Sequence, residues 1–208
     1  TLQELLYGLM LSSGNDAAVA LAECVAGVTE LFVEQMNTRA KELGMTHSHF
    51  SWPNGLIDED NYSSAKDMAI LSSYAMKNKL FAKIVKTGYI ETKDGYQIEN
   101  HNRMLSRDKR CIGVKTGFTK KAGRCLVSAA EKDGVRLICV TLNCPDDWNT
   151  HAALYQRYFA LTESRPLTLE APILPVVGGQ KAALQTVLVG QPTYTAIRGR
   201  EEGITVTV

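Results

Sequence analysis

Leu2, Leu5, Leu6, Leu9 and Met10 recur at helical spacing, which predicts a helix over residues 2–11 with one buried face. Ser12, Ser13, Gly14 and Asn15 interrupt the pattern. Residues 16–26, from Asp16 through Ala17, Val19, Leu21 and Val25, are apolar on nearly all sides, as in a helix at the centre of a domain. A Ser-Ser-Gly-Asn link between two such helices carries polar side chains inward. Burial without partners is costly, so these groups should bond to something or serve something. Thr29 is suited to cap a third helix bearing Phe32, Met36, Ala40 and Leu43, stopped by Gly44. His47 to Asn61, with Trp52, Pro53, Asn54 and Gly55, reads as a structured loop. Ser64 with Asp67 opens a further helix in the manner of a capping box, carrying Met68, Leu71 and Ala75. Residues 88–104 read as a hairpin turning at Asp94-Gly95.

A β-rich core follows. Strands are predicted over 111–117, 124–130 and 135–143, the last two joined through Asp133-Gly134. Asp147 is suited to cap a helix burying Leu154, Tyr155, Tyr158 and Phe159. Helices, then antiparallel strands, then a closing helix give an α+β layout, a helical cluster packed on an antiparallel sheet. Beyond Pro166 the texture changes to Val, Thr and Gly without helical period. Turns are expected at Gly178-Gly179 and Gly190-Gln191-Pro192, and Ile204 to Val208 alternates. The boundaries follow: residues 1–163 as one domain and 164–208 as the start of a small β-domain.

Composition narrows the picture. Apolar residues make up 45% of the 208 residues, charged residues 22%, and the net charge is +1. These are ordinary values for a globular domain and give no reason to expect nucleic acid. No apolar run reaches the roughly 18 residues of a membrane span. No signal peptide is present, and the first residues already read as the middle of a protein, so the chain is expected to start inside a longer gene product. The five cysteines, Cys24, Cys111, Cys125, Cys139 and Cys144, form no C-x-x-C pair and are not adjacent in sequence to the four histidines. Neither a metal site nor a cofactor is expected, and buried free thiols are the simpler reading. Cys125 and Cys139 sit on neighbouring predicted strands, so a bridge between them stays open.

Two tripeptides carry chemistry: Ser13-Gly14-Asn15 between the first two helices, and Lys115-Thr116-Gly117 at the end of a predicted strand. Acyl-transfer enzymes of the penicillin-binding and β-lactamase group use S-x-x-K, S-x-N and K-T-G. The last two occur here in that order. Each alone is weak, and the chain contains a second K-T-G, Lys86-Thr87-Gly88. Context separates the copies. Residues 112–130, around Lys115, closely resemble the K-T-G strand, turn and next strand of serine D-alanyl-D-alanine carboxypeptidases, which are low-molecular-mass penicillin-binding proteins. Residues 8–27 resemble that family's S-x-N region. Asn54-Gly55-Leu56 and Tyr62 to Met68 resemble stretches between the two. The resemblance covers about residues 1–162. Lys86 then reads as a solvated lysine at a helix end or in a loop.

The resemblance implies a penicillin-binding-protein-like transpeptidase fold. It also implies removal of the terminal D-alanine from peptidoglycan stem peptides, with β-lactams as inhibitors. Ser13 would relay a proton to the leaving D-alanine, and Lys115 would set a positive potential and assist it. Asn15 would bond a backbone carbonyl of the substrate, and Thr116 its terminal carboxylate. Gly117 would let substrate lie against the strand as an added strand, and the Phe118 N–H would be one oxyanion donor.

The sequence departs from the family pattern in three places. No S-x-x-K precedes Ser13. The literal matches Ser63-x-x-Lys66 and Ser106-x-x-Lys109 follow it, in the wrong order, and neither is assigned as nucleophile. The nucleophile is expected on an upstream segment, and these 208 residues alone are expected not to hydrolyse substrate. Asn149-Thr150-His151 stands where some relatives place a carboxylate-binding arginine, which leaves that cation open. Asn54 stands where some carry a histidine. A non-catalytic peptidoglycan-binding module on this fold is the alternative. A β-lactamase is disfavoured, since no Glu-x-x-Leu-Asn string lies between Ser13 and Lys115. The substrate implies an extracytoplasmic place in the bacterial cell envelope, with any membrane association through segments outside this chain.

Overall fold

The computed structural model describes residues 1–56, 59–167, 169, 171, 173–175, 177, 183–187 and 189–200. The chain divides into two compact units. The first joins Thr1–Glu131 to Arg136–Gln156. The second joins Lys132–Val135 to the residues from Arg157 on.

Five helices lead: α1 (Leu2–Ser12), α2 (Asn15–Ala26), α3 (Thr29–Glu42), α4 (Ala65–Ala75) and α5 (Lys79–Lys86). A hairpin of β1 (Tyr89–Glu91) and β2 (Gln97–Glu99) and the short α6 (Met104–Arg107) lead to three antiparallel strands. These are β3 (Cys111–Thr119), β4 (Gly123–Lys132) and β5 (Val135–Thr141), in the order β3-β4-β5, and α7 (Asp147–Leu161) follows. After α7, β6 (Thr162–Pro166) pairs with β9 (Thr193–Ile197), and β7 (Ile173–Pro175) pairs with β8 (Ala183–Gln185). The turn expected at Gly178-Gly179 and the alternating run Ile204–Val208 lie outside the described residues.

Alternation along β4 explains why helices flank the sheet on both sides. Val127 and Ala129 pack with Met76 and Val85 on the side of α4 and α5. Leu126 and Ser128 project the other way, where Ser128 meets His151 and Tyr155 of α7. Leu126 is buried, worth about 1.5–3 kcal/mol relative to exposure. At β3, Gly113 makes close packing possible. A β-carbon there would come within 2.7 Å of the Val85 side chain, and its φ of +146° suits glycine. Helix α5, which the hydrophobic pattern above did not single out, therefore rests directly on β3.

Several local expectations need correction. Val28, not Thr29, occupies the α3 cap; Thr29 is the first helical residue and its hydroxyl donates to Glu30. Ser64 does cap α4 by accepting from the Asp67 N–H, but the Asp67 carboxylate accepts from the His47 N–H and Ser48 hydroxyl instead of closing a box. Asp147 is the first residue of α7. Tyr158 is exposed, because it turns away from the face that buries Tyr155 and Phe159. Helix α2 buries Ala17, Ala18, Leu21 and Ala22 on one side only; Val25 is 64% exposed. All five cysteines are free thiols, Cys111 buried and Cys24 exposed, so no bridge joins Cys125 to Cys139.

Candidate active-site cleft

The α1–α2 junction is built by a helix stop. Ser13 adopts the left-handed conformation at φ 61° and ψ 43°, and the Gly14 N–H reaches back to the Gly8 carbonyl at 3.0 Å, ending α1. A non-glycine residue in this region costs about 1 kcal/mol, and it turns the Ser13 side chain out of the helix pair. Gly14 caps α2 and Asn15 is its first residue, so Ser13 and Asn15 flank one tight corner. Both are exposed, not interior as their neighbours' apolarity suggested.

The second wall is β3, an edge strand. Its hairpin to β4 pairs Thr119 with Gly123, and the Ala122 N–H bonds the Thr119 hydroxyl. Lys115 therefore lies opposite Val127, Thr116 opposite Leu126, Gly117 opposite Cys125 and Phe118 opposite Arg124. Lys115 and Val127 share the helical side. There the Lys115 ammonium donates to the Ser13 hydroxyl, and to the Thr116 carbonyl at 2.8 Å. One hydrogen bond thus joins two motifs that lie 102 residues apart. Burial lowers the Lys115 pKa to about 8, within reach of a proton-transfer role near neutral pH.

Thr116 and Phe118 fall on the α7 side with Arg124. The Phe118 ring is 70% exposed. Arg124 donates through one terminal nitrogen to both Asp147 oxygens, at 2.8 and 3.0 Å, and stacks 5.1 Å from the Trp148 ring centre.

These walls enclose a cleft of about 740 Å³. Ser13, Asn15, Lys115, Thr116, Gly117 and Phe118, all chosen from sequence, line it together. Also lining it are His101, Arg103, Arg124, Asp147 and Trp148, which the sequence reading did not select. The loop bearing His101 and Arg103 is tied to α1 by a bond from the His101 N–H to the Leu11 carbonyl, 3.0 Å. Arg124 had a legible signal, since a three-residue turn sets it opposite Phe118. Its pairing with Asp147 had none. Among the described lining residues Lys115, Arg103 and Arg124 face one carboxylate, Asp147, so the cleft favours anions.

The literal S-x-x-K serines lie elsewhere. The Ser63 hydroxyl bonds that of Ser48 at 2.7 Å, and the Ser106 hydroxyl donates to the Arg103 carbonyl at 3.0 Å. Neither lines the cleft. Lys86 ends α5, exposed, as expected.

Such a pairing of a Ser-Gly-Asn corner with a Lys-Thr-Gly edge strand defines a class of active-site serine peptidases. The family profile described as D-alanyl-D-alanine carboxypeptidase matches residues 1–146. The chain belongs to that family. D-alanyl-D-alanine carboxypeptidase DacF of Bacillus subtilis is 37% identical over 174 residues, 80% of this chain and 45% of that protein. DacB2 of Mycobacterium tuberculosis is 36% identical over 172 residues, 77% of this chain and 59% of that protein. The chain thus spans about half the length of such curated relatives. Penicillin-binding protein 5 from Haemophilus influenzae superposes with a TM-score of 0.77 at 32% identity, over 94% of this chain and 59% of that one. The α+β penicillin-binding-protein fold expected from sequence is therefore the fold of this chain.

Proposed function

We propose that this chain carries the substrate-binding half of a serine acyl-transfer carboxypeptidase. Its substrate is a peptidoglycan stem peptide ending in D-Ala-D-Ala, from which it removes the last D-alanine. The observation that carries the reading is the Lys115–Ser13 hydrogen bond inside a cationic cleft.

Each residue takes a role from chemistry. The peptide aligns along the open edge of β3, where Gly117 presents no side chain, and gains strand-like hydrogen bonds. Asn15 bonds a carbonyl of the incoming peptide, and the Thr116 hydroxyl meets the terminal carboxylate. The Phe118 N–H stabilises the developing oxyanion. In the ammonium form Lys115 raises the local potential. Near its pKa of about 8 it exchanges a proton with Ser13, which passes it to the leaving amine. The attacking hydroxyl must approach Ser13 and Lys115, and Ser63 and Ser106 do not.

A stem peptide places the reaction outside the cytoplasmic membrane. Among the described residues no helix is long and apolar enough to cross a membrane. β-Lactams, whose strained amide mimics D-Ala-D-Ala, should acylate the same nucleophile.

The test is to treat the full-length gene product with labelled penicillin and map the adduct by mass spectrometry. A covalent adduct on a serine of an S-x-x-K motif other than Ser63 or Ser106, lost in Lys115→Ala, is expected. No adduct in a folded protein would favour a non-catalytic peptidoglycan-binding module.

A further inference from the structure

The proposed carboxylate at Thr116 needs a cation, and the start of α7 offers none. Asn149 and Thr150 are neutral, and His151 is buried between Ser128 and Thr141, 2.6 and 2.9 Å away. Lys115 is turned to the opposite side of β3, on Ser13.

We infer that Arg124 is the residue that selects a ligand ending in a free carboxylate, from a position on β4 beside Thr116. This rests on the peptide-cleaving reading above. The register carries the inference. Phe118 and Arg124 are directly opposed, Thr116 is two residues before Phe118, and side chains at this spacing share one face. The guanidinium is also only half used. One terminal nitrogen serves Asp147, the Nε is buried with no partner, and the other terminal nitrogen has no partner among the described residues. A guanidinium anchored on Asp147 through one terminal nitrogen still presents the other to a ligand carboxylate, with a charge that stays fixed at neutral pH.

Its placement is enforced from two sides. Trp148 lies against the guanidinium, and Asp147 is itself buried. One and two turns further along α7, His151 and Tyr155 both bond the Ser128 hydroxyl, at 2.6 Å each, which locks the helix to β4 four residues from Arg124. The start of α7 therefore contributes an orienting carboxylate, and β4 contributes the charge.

The experiment compares an acetylated peptide ending in D-Ala-D-Ala with its C-terminal amide, by calorimetric or NMR titration against the protein at pH 7. One charge-assisted pair predicts that the acid binds about tenfold or more tighter than the amide. Arg124→Gln should bring the acid down to the level of the amide and leave the amide within about twofold of its own value. Arg124→Lys should keep part of the preference, and Lys86→Gln, outside the cleft, all of it. Since Arg124→Gln leaves Asp147 alone, Arg124→Gln with Asp147→Asn provides a neutral pair, with folding checked by thermal melting. A preference that survives both Arg124 variants, or that disappears in Arg103→Gln instead, overturns the assignment. Failure of the wild-type protein to bind either peptide overturns the peptide-cleaving reading along with it.

Discussion

Lys115-Thr116-Gly117 and Lys86-Thr87-Gly88 are the same tripeptide in two elements that pack on each other, α5 on β3, and only one faces the cleft. In the second copy the threonine and the backbone carbonyls are spent on a helix stop and on Asn100. The Thr87 hydroxyl donates to the Lys83 carbonyl at 2.8 Å, and Asn100 takes the Thr87 and Gly88 carbonyls. Lys86 points to solvent. In the first copy the Thr116 hydroxyl has no partner among the described residues, and Lys115 turns inward onto Ser13. A motif becomes a site when the backbone leaves its polar groups unspent beside another such motif. Composition alone does not make one.

The largest expected effect separates the copies by activity. In the full-length protein, Lys115→Ala should reduce penicillin acylation by about a thousandfold, while Lys86→Ala stays within about twofold, read as second-order rates. Equal losses would erase the distinction. Next comes the contact that joins their elements. Gly113→Ala should destabilise the fold by about 2–3 kcal/mol in urea unfolding, because its β-carbon collides with Val85 and its φ is positive. A neutral result would mean that α5 does not bear on β3.

Acid sharpens the account of the sheet's other face. Burial lowers the His151 pKa to about 4, against a partial upward pull from Asp147. The unfolded chain therefore binds the proton first as pH falls below about 6.5, and stability drops between about 6.5 and 4. His151→Gln should flatten that drop, which reaches about 3 kcal/mol at most, in urea titrations at pH 7, 5.5 and 4. Smallest is the alkaline counterpart. Lys115 holds its proton less tightly folded than unfolded, so its burial cost is present at pH 7 and relieved as pH rises from about 8 towards 10.5. Lys115→Met should be slightly more stable than wild type at pH 7, with the gap closing by pH 10.5.

Much of this was legible from residue order. The breaks at Ser13-Gly14-Asn15 and the strand ending in Lys-Thr-Gly are local signals. The spacing of strand, turn and strand sets the β3–β4 register without further information. Helix α5 escaped because its apolar pairs, Phe81 with Ile84 and Val85, fill only two turns. Thr29 and Asp147 are each the first residue of their helix, since a polar side chain at a helix start also finds partners within the first turn. The Arg124–Asp147 pair joins positions 23 residues apart across two elements, and only packing reveals it.

The central claim is that substrate lies along β3 between Ser13 and Thr116. It is tested most directly by a crystal structure of the protein with a D-Ala-D-Ala-terminated peptide bound. The account predicts the peptide antiparallel to Lys115–Phe118, its carboxylate at the Thr116 hydroxyl and its terminal amide beside Ser13 and Lys115. A peptide bound elsewhere, with Lys115 still paired to Ser13 in an empty cleft, would contradict it.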